Sequence, residues 1–394
     1  MCFYFPPLHL RPRMRIAVNT RFLLKGKLEG IGWFTNEIIR RMVLQHPEHE
    51  FIFFFDRAYD PSFIYANNIT PVVLHPPARH PILWFIWFEW SIRRALKKYK
   101  ADLFISTDGF LSLSSKIPSI LVIHDLVFEH YPEHLPFKFR YYLKKFTPKF
   151  AKKASHIVTV SEFSKQDIID RYQVPSSSIS VIYNGAHHLY QPITFDERET
   201  CKQQYANGCE YFVFAGALHP RKNVKALLEA FTLFKRKQRS NMKILIIGRY
   251  AWNAEDIADA IQNHPFKQDV IHYNYMQVEE LCKVMGAAYA LTFVSLFEGF
   301  GIPILEAMQC HIPCIVSNTS SMPEVIGNAG ILVNPHNVED IANAMRKMYK
   351  EEHFREQCIL ISKEQVKKFS WEDSATNFYT IVEKIATETK KQYT

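Results

Sequence analysis

The segment SLFEGFGIPILEA (Ser295–Ala307) decides the fold, because it passes from a strand through a tight turn into a helix. It continues the apolar run YALTFVS, which predicts a buried strand, and leads into a helical pattern over Ile302–Cys310. Gly299 and Gly301 let the backbone approach a ligand closely, and Pro303 suits a first helical turn. A strand, glycines and a helix in this order are typical of the ligand-binding edge of a parallel sheet.

Two carboxylates, Glu298 and Glu306, frame this turn. The free amides of Phe300, Gly301 and Ile302, together with the helix dipole, attract anionic or hydroxyl oxygens. Glu306 falls about one turn into the helix, where it can accept two hydroxyls of a ribose, whereas Glu298 precedes the helix and lies nearer a transferred group. A surface loop with a solvated Glu306 is the alternative, and the strand, both glycines and the proline argue against it.

The segment GALHPRKN (Gly216–Asn223) also follows a predicted strand, and Arg221 and Lys222 stand just before the next helix. An ammonium group there offsets charge on a leaving nucleotide, and a guanidinium group binds phosphate through two hydrogen bonds. A solvated pair of loop cations is the alternative. With the two carboxylates in the same half of the chain, a sugar-nucleotide site is favoured.

The first half of the chain contributes further candidates. His124 and Asp125 end a strand, and a histidine there can donate to a sugar hydroxyl or to phosphate, unless it is a buried structural residue. The loop LEGIGWFT, with Gly30 and Gly32, enters a helix after the first strand. It lacks the third glycine and the downstream acid of a dinucleotide-binding fingerprint, so it indicates a loop that contacts phosphate or acceptor.

Strands alternate with helices along both halves, which predicts an α/β protein of two doubly wound parallel sheets facing a cleft. We expect one domain at residues 14–190, completed by a final helix at about 372–394, and a second at 205–371. The polar segment Gln191–Asn207 is interpreted as the linker. Prolines over Pro71–Pro81 predict a long loop.

Length and composition agree with this organisation. A chain of 394 residues suggests two domains, and the net charge of +9 favours an acidic partner such as nucleotide phosphates or anionic lipid. No nucleic-acid-binding motif is present, so we expect no nucleic acid partner. Seven cysteines without a C-x-x-C pair indicate reduced thiols in a cytosolic protein rather than zinc or disulfides. Residues 1–13 do not follow the order of a signal peptide and are expected to be a disordered leader or an upstream start.

Two basic helices carry a second hypothesis. Trp84–Lys98 combines tryptophans and phenylalanines with basic residues, and Lys138–Lys153 is strongly basic. Such helices either bury one aromatic face in the core or lie on an anionic bilayer. We therefore expect a cytoplasmic location, with peripheral contact at the inner face of the cytoplasmic membrane as a further hypothesis.

Taken together, these motifs resemble the retaining glycosyltransferases of family 4, the "group 1" glycosyltransferases with the GT-B fold. The resemblance runs from about Met14 to the C-terminus and is densest in FVSLFEGFGIPILEAMQCHIPCIVSNTSSMPEVIGNAGILVNP. VSEFSKQDI, VIYNGA, GALHPRKNV and FSWEDSA also look like family segments. The chain is most similar to the mannosyltransferase-like enzymes that build bacterial surface polysaccharides.

The resemblance implies a role for each candidate residue, with no metal and no cofactor. It assigns Glu306 to the ribose, Glu298 and His124 to the donor sugar, Lys222 and Arg221 to the diphosphate, the amides of Phe300, Gly301 and Ile302 to sugar hydroxyls, and Gly30 to Gly32 to the diphosphate and acceptor. It also implies a front-face reaction, in which the leaving phosphate takes the acceptor's proton. The chain departs from the family at Ala217, where many members have arginine, and at Asn274 and His311, which replace common glycines.

The expected function is retaining transfer of a hexose to a lipid-linked or polysaccharide acceptor, with GDP-mannose as the first choice of donor and a UDP-sugar as the second. An epimerase or phosphorylase of the same fold is an enzyme alternative. A two-lobed sugar-binding protein of the periplasmic type is the non-enzyme alternative, and it requires an export signal that the sequence lacks.

Overall fold

The computed structural model describes residues 13–393, with side chains as far as Glu388. The expected leader falls outside this range except for Arg13. The strands within it, all paired in parallel, are β1 (Arg15–Asn19), β2 (Glu50–Phe55), β3 (Ile69–Val73), β4 (Leu103–Ser106), β5 (Ser119–Val122), β6 (His156–Thr159), β7 (Ile179–Val181), β8 (Tyr211–Ala215), β9 (Lys243–Ile247), β10 (Val270–Tyr273), β11 (Ala290–Phe293), β12 (Cys314–Ser317) and β13 (Gly330–Val333).

Helices connect these strands and cover the faces of the sheets. They are α1 (Gly30–Gln45), α2 (Pro81–Ile86), α3 (Arg93–Lys98), α4 (Val127–His130), α5 (Phe137–Lys153), α6 (Glu162–Tyr172), α7 (Phe195–Ala206), α8 (Val224–Gln238), α9 (Glu255–Gln262), α10 (Val278–Ala287), α11 (Ile302–Gln309), α12 (Met322–Ile326), α13 (Val338–Lys350), α14 (Glu352–Gln365) and α15 (Trp371–Tyr393). No helix in the described part of the chain is both long and apolar enough to cross a membrane.

The strands form two sheets, which confirms the predicted fold class. The first has the order β3-β2-β1-β4-β5-β6-β7 and the second the order β10-β9-β8-β11-β12-β13. In each sheet the strand order reverses once, between β1 and β4 and between β8 and β11. Ligands of doubly wound sheets bind at the carboxyl ends of the strands beside such a reversal. GALHPRKN follows β8 and SLFEGFG follows β11, so both segments lie at that point of the second sheet.

Two predicted loop segments prove to be regular structure. Pro71 lies inside β3. A proline is tolerated there because β3 is an edge strand, so the missing N–H group does not remove a hydrogen bond of the sheet. The expected linker contains α7, which begins with a reciprocal capping box between Thr194 and Glu197. Helix α7 packs on α10 of the second unit, where Tyr205 donates a hydrogen bond to Glu280.

The aromatic helix differs from the expected single helix. Between α2 and α3 the segment Trp87–Ile92 forms a π-helical turn. Trp87 and Phe88 from this turn are buried. Strand β13 and helix α14 were also not predicted from the sequence.

The last helix returns to the first sheet. Arg41 on α1 donates to Glu372 at 2.7 Å, and Trp371 packs edge-on against Phe34 with ring centroids 6.2 Å apart. Gly185 lies directly under Trp371, because a Cβ atom there would come within 2.7 Å of the indole ring. The chain thus forms the first sheet, then the second, and its last helix packs on the first unit.

Candidate active site

A buried ion cluster occupies the carboxyl ends of β8 and β11. The Glu298 carboxylate accepts from Lys222 Nζ at 2.6 Å and lies 2.9 Å from Arg221 Nη1. Burial disfavours charge on Glu298, but the two cations outweigh it and hold the pKa of this carboxyl at about 2. Lys222 Nζ also lies 4.9 Å from the centre of the Phe293 ring. Glu298 is therefore ionised at neutral pH and already paired with both cations predicted to bind phosphate.

Local hydrogen bonds fix the loops that carry this cluster. The Leu296 amide donates to the Arg221 carbonyl at 2.8 Å, which joins the two loops. The Glu298 amide donates to Ser320 Oγ at 3.0 Å. Ser321 Oγ lies 2.9 Å from the Glu298 carbonyl oxygen and 3.0 Å from that of Phe300. Hydrogen bonds with the loop after β12 thus fix the conformation of this turn.

Helix α11 presents its N-terminus beside the ion cluster. Gly301 caps the helix with a φ of 97°, a left-handed conformation that favours glycine. Within the described chain, the amides of Phe300, Gly301 and Ile302 have no hydrogen-bond acceptor. The Phe300 side chain is buried against Tyr183 and Phe369, so this residue offers the site only its backbone.

Glu306 lies on α11 in a confined, half-buried position. Burial raises the pKa of its carboxyl to about 7, and the neighbouring Tyr190 hydroxyl only partly offsets this. Burial and the nearby Glu306 carboxylate raise the pKa of Tyr190. Tyr190 precedes the expected linker and was not anticipated as a site residue. No sequence signal marks it, because its role depends on a contact with a residue more than a hundred positions away.

His124 follows β5 of the first sheet, and its carbonyl oxygen lies against Gly299, the residue after Glu298. Its Nε2 atom lies 2.9 Å from the carbonyl oxygen of Thr107, so this nitrogen must carry the proton and donate it. Burial lowers the pKa of His124, which leaves the ring neutral. The Nδ1 atom then carries a lone pair that can accept a hydrogen bond. Neutral His124 can accept a hydrogen bond from a sugar hydroxyl at Nδ1, whereas the donation to phosphate predicted from the sequence would require a second proton on the ring.

The two predicted glycines differ in their surroundings. Both lie in the first turn of α1 and not in a loop. A Cβ atom on Gly30 would come 4.0 Å from Ile302 Cδ1, so the N-termini of α1 and α11 face each other across the cleft. A Cβ atom on Gly32 would come 2.9 Å from the Phe22 carbonyl oxygen, so Gly32 packs on the loop that precedes α1.

The described residues contain no group of three or more His, Cys, Asp or Glu side chains arranged to hold a metal ion. The six cysteines among them are free, and Cys310 and Cys314 are buried thiols. The cleft therefore offers cations, helix amides and carboxylates as its binding groups.

Comparison with known proteins identifies the class to which this fold and site belong. Residues 197–365 match the family model "Glycosyl transferases group 1", and residues 29–188 match "Glycosyltransferase Family 4". In structure the chain is similar to a glycosyltransferase from Rickettsia africae, with a TM-score of 0.72 and 16% identity over 95% of this chain and 99% of that one. It is also similar to HepE from Anabaena in complex with UDP and glucose, with a TM-score of 0.72 and 15% identity over 94% and 99% of the two chains. The fold is GT-B, as predicted.

The two family models together cover most of the chain, which carries a family 4 glycosyltransferase domain in its first half and a group 1 glycosyltransferase domain in its second half. Among curated proteins, it is 26% identical to the O-antigen chain mannosyltransferase B of Escherichia coli over 90% of this chain and 95% of that protein. It is 29% identical to the O-antigen chain mannosyltransferase RfbU of Salmonella typhimurium over 73% and 76% of the two chains.

Proposed function

We propose that this protein is a retaining glycosyltransferase that moves a hexose from a nucleotide diphosphate sugar to a lipid-linked or polysaccharide acceptor of surface glycan synthesis. The observation that carries the proposal is the pairing of Glu298 with Arg221 and Lys222 opposite His124. Cations for a diphosphate, a carboxylate and a histidine for sugar hydroxyls, and free helix amides meet in one cleft. GDP-mannose is our first choice of donor because relatives over most of the chain are mannosyltransferases.

Each group has a defined part in the proposed reaction. Lys222, Arg221 and the amides at the start of α11 stabilise the negative charge that develops on the diphosphate as the bond from the anomeric carbon to its oxygen breaks. Glu306 accepts from the ribose hydroxyls. Glu298 and the Nδ1 atom of His124 orient the hexose. The acceptor oxygen bonds to the anomeric carbon on the face that the diphosphate leaves, and the acceptor's proton passes to the leaving phosphate oxygen.

A transfer assay tests this function. The purified protein is incubated with GDP-mannose, or separately with UDP-glucose and UDP-galactose, together with polyprenyl-linked glycan acceptors. We expect a glycosylated product whose anomeric configuration, determined by NMR, equals that of the donor. Inverted product refutes retention. Interconversion of the free sugar nucleotide without an acceptor would indicate an epimerase, and binding of free sugar without any turnover would indicate a sugar-binding protein.

We further propose that the first unit contacts an anionic membrane surface. Five large apolar residues of two neighbouring helices, α2 with its π-helical turn and α5, are 43–68% exposed: Ile82, Phe85, Trp90, Phe137 and Tyr141. Basic side chains lie over these or adjacent rings, including Arg94 over Trp90 and Arg140 over Phe137. An apolar surface with interleaved cations suits the interface of a bilayer that carries negative headgroups.

Co-sedimentation with vesicles tests this contact. Binding to phosphatidylglycerol-containing vesicles should exceed binding to neutral ones and weaken with salt. The double substitution of Trp90 and Phe137 by alanine should reduce it, whereas Trp252→Ala, an exposed tryptophan of the second unit, should not. Equal binding by all three proteins would refute the assignment of this surface.

A further inference from the structure

The first turn of α6 in the first unit is docked on the catalytic loop of the second. Ser161, the N-cap of α6, accepts from the Ser164 amide at 3.1 Å. Its hydroxyl donates to the carbonyl oxygen of Gly299 at 2.7 Å and also lies 3.0 Å from Ser164 Oγ. Ser164 Oγ lies 3.3 Å from the same carbonyl oxygen. One serine thus caps its own helix and holds the residue next to Glu298.

A carboxylate from the second unit completes this contact. Glu324, on α12, accepts from the amides of Glu162 and Phe163 at 2.9 and 3.2 Å, and from the Tyr183 hydroxyl at 2.8 Å. The first amides of a helix have no partner within the helix and carry its positive dipole end, so a carboxylate is their best partner. Here that carboxylate belongs to the other sheet. The same helix end therefore binds Glu324 and Gly299, which follow different strands of the second unit.

The opposite side of Gly299 is equally constrained. A Cβ atom at this position would clash with the carbonyl oxygen of His124 and come within 2.9 Å of Asp125 Cβ. Gly299 therefore lies between the strand end that carries His124 and the first turn of α6. Because Glu298 precedes Gly299 directly, these contacts set the position of Glu298 relative to His124.

We propose that Ser161 and Glu324 are positioning residues, which together form an interdomain clasp (Ser161, Ser164, Gly299 and Glu324) that brings Glu298 and His124 to their working separation around the donor hexose. The proposal rests on the proposed function, because it assigns the hexose to the space between these two side chains. The clasp touches neither the diphosphate cations nor Glu306. It therefore acts on the sugar pocket, which both units build, and leaves the nucleotide pocket of the second unit intact.

The clasp predicts different effects on nucleotide affinity and on the rate of transfer. Nucleotide diphosphate alone is held by Arg221, Lys222 and Glu306, so its affinity should not depend on the clasp. Transfer requires the hexose to be held from both sides, and displacement of a reacting group by about 1 Å can cost on the order of a hundredfold in rate. Loss of the clasp should lower kcat while the nucleotide dissociation constant stays unchanged.

The test compares Glu324→Ala, Glu324→Gln and Ser161→Ala with the matched controls Glu162→Ala and Ser178→Ala. Among the residues that the structure describes, the Glu162 side chain pairs only with Lys165 of its own helix, and the Ser178 hydroxyl donates only to Pro175 of its own loop. We expect kcat to fall about tenfold or more in Glu324→Ala and Ser161→Ala, by less in Glu324→Gln, which keeps one acceptor oxygen, and not in the controls. Calorimetric affinity for GDP or UDP should stay within about twofold of wild type in every variant, a difference under about 0.5 kcal/mol.

Three other results would overturn the clasp. Unchanged kcat in Glu324→Ala and Ser161→Ala would remove its role in catalysis. Parallel losses of kcat, nucleotide affinity and melting temperature in both Glu324→Ala and the milder Glu324→Gln would reduce it to a purely structural contact. A fall in kcat as large in the two controls would show that the effect is not specific. Absence of transfer by the wild-type protein would instead refute the proposed function, so the two failures are distinguishable.

Discussion

At the scale of single residues, Glu298 forms ion pairs with Arg221 and Lys222, the two cations that are expected to bind phosphate. Glu298→Gln frees Arg221 and Lys222 from their partner. We expect this variant to lose transfer but to bind GDP or UDP several-fold tighter than wild type, because each charge-assisted hydrogen bond released to the ligand is worth on the order of 1 kcal/mol. Lys222→Met should weaken the same binding at least about tenfold, or 1.4 kcal/mol. Calorimetry measures both, with the exposed Glu229→Gln on α8 as control, and weaker binding by Glu298→Gln would contradict this view of the pair.

Glu306 predicts a pH dependence of nucleotide affinity. Burial raises the pKa of its carboxyl to about 7, so the residue gains a proton as the pH falls through neutrality. Only the ionised form can accept from both hydroxyls of the ribose that we propose it binds. Affinity of the wild-type protein for GDP or UDP should therefore drop between pH 8 and pH 6 by about tenfold more than the affinity of Glu306→Gln does. The variant is the reference because protonation of the ligand's phosphate affects both proteins equally. Equal pH profiles for the two proteins would rule out this titration.

The same carboxyl predicts a cost in stability. Its pKa in the folded protein lies above the unfolded value of 4.5, so the folded state binds the proton more tightly and the free energy of unfolding falls as the pH rises from 4.5 through 7. Above pH 7, Glu306→Gln should be more stable than wild type by on the order of 2 kcal/mol, less than the full equivalent of the shift because solvent reaches part of the side chain. The difference should shrink toward pH 5. Urea denaturation at both pH values measures it, and a variant less stable than wild type at pH 8 would contradict the sign.

At the scale of secondary-structure elements, the turn into α11 depends on Gly301. An added Cβ atom would come 2.9 Å from Ile304 Cδ1. The backbone φ of 97° at this position also disfavours any side chain. We expect Gly301→Ala to lower the free energy of unfolding by about 1–3 kcal/mol and to reduce kcat. Gly26→Ala is the matched control, because Gly26 also has positive φ, 67°, but open space around it. Equal losses in both variants would mean that only backbone strain matters and that the helix start is not displaced.

Elements with strong local patterns were predictable from the sequence, and the others show why local patterns fail. The strand and helix around Gly301 follow from apolar runs, glycines and a proline that all favour the same structure. Helix α7 was taken for a linker because the segment is polar, although its capping box, Thr194 to Glu197, is a readable helix start. Strand β3 was missed because it contains Pro71, which only an edge position permits. The helix that carries Trp84–Lys98 was predicted, but its π-helical turn was not, because that turn depends on packing.

At the scale of the whole molecule, two sheets bring residues together that are distant in sequence. Motif spacing predicted that Arg221, Lys222, Glu298 and His124 share one cleft, since each follows a strand of a doubly wound sheet. It could not predict Tyr190, Ser161 or Glu324, because their partners lie more than a hundred residues away and their residue types are ordinary. The tautomer of His124 likewise depends on the Thr107 carbonyl, which only the folded chain brings to it.

The return of α15 to the first sheet makes a prediction for the whole chain. Phe378 is fully buried, and its ring lies 6.4 Å from that of Phe34 on α1. Phe378→Ala removes a large core side chain and should lower the free energy of unfolding by about 3–5 kcal/mol. The proposed nucleotide pocket is built by residues of the second unit, so affinity for GDP or UDP should remain unchanged wherever the protein is still folded. Urea denaturation and calorimetry measure the two effects, with the exposed Asn377→Ala as control. A loss of nucleotide affinity in the folded Phe378→Ala protein would mean that α15 supports the second sheet as well as the first.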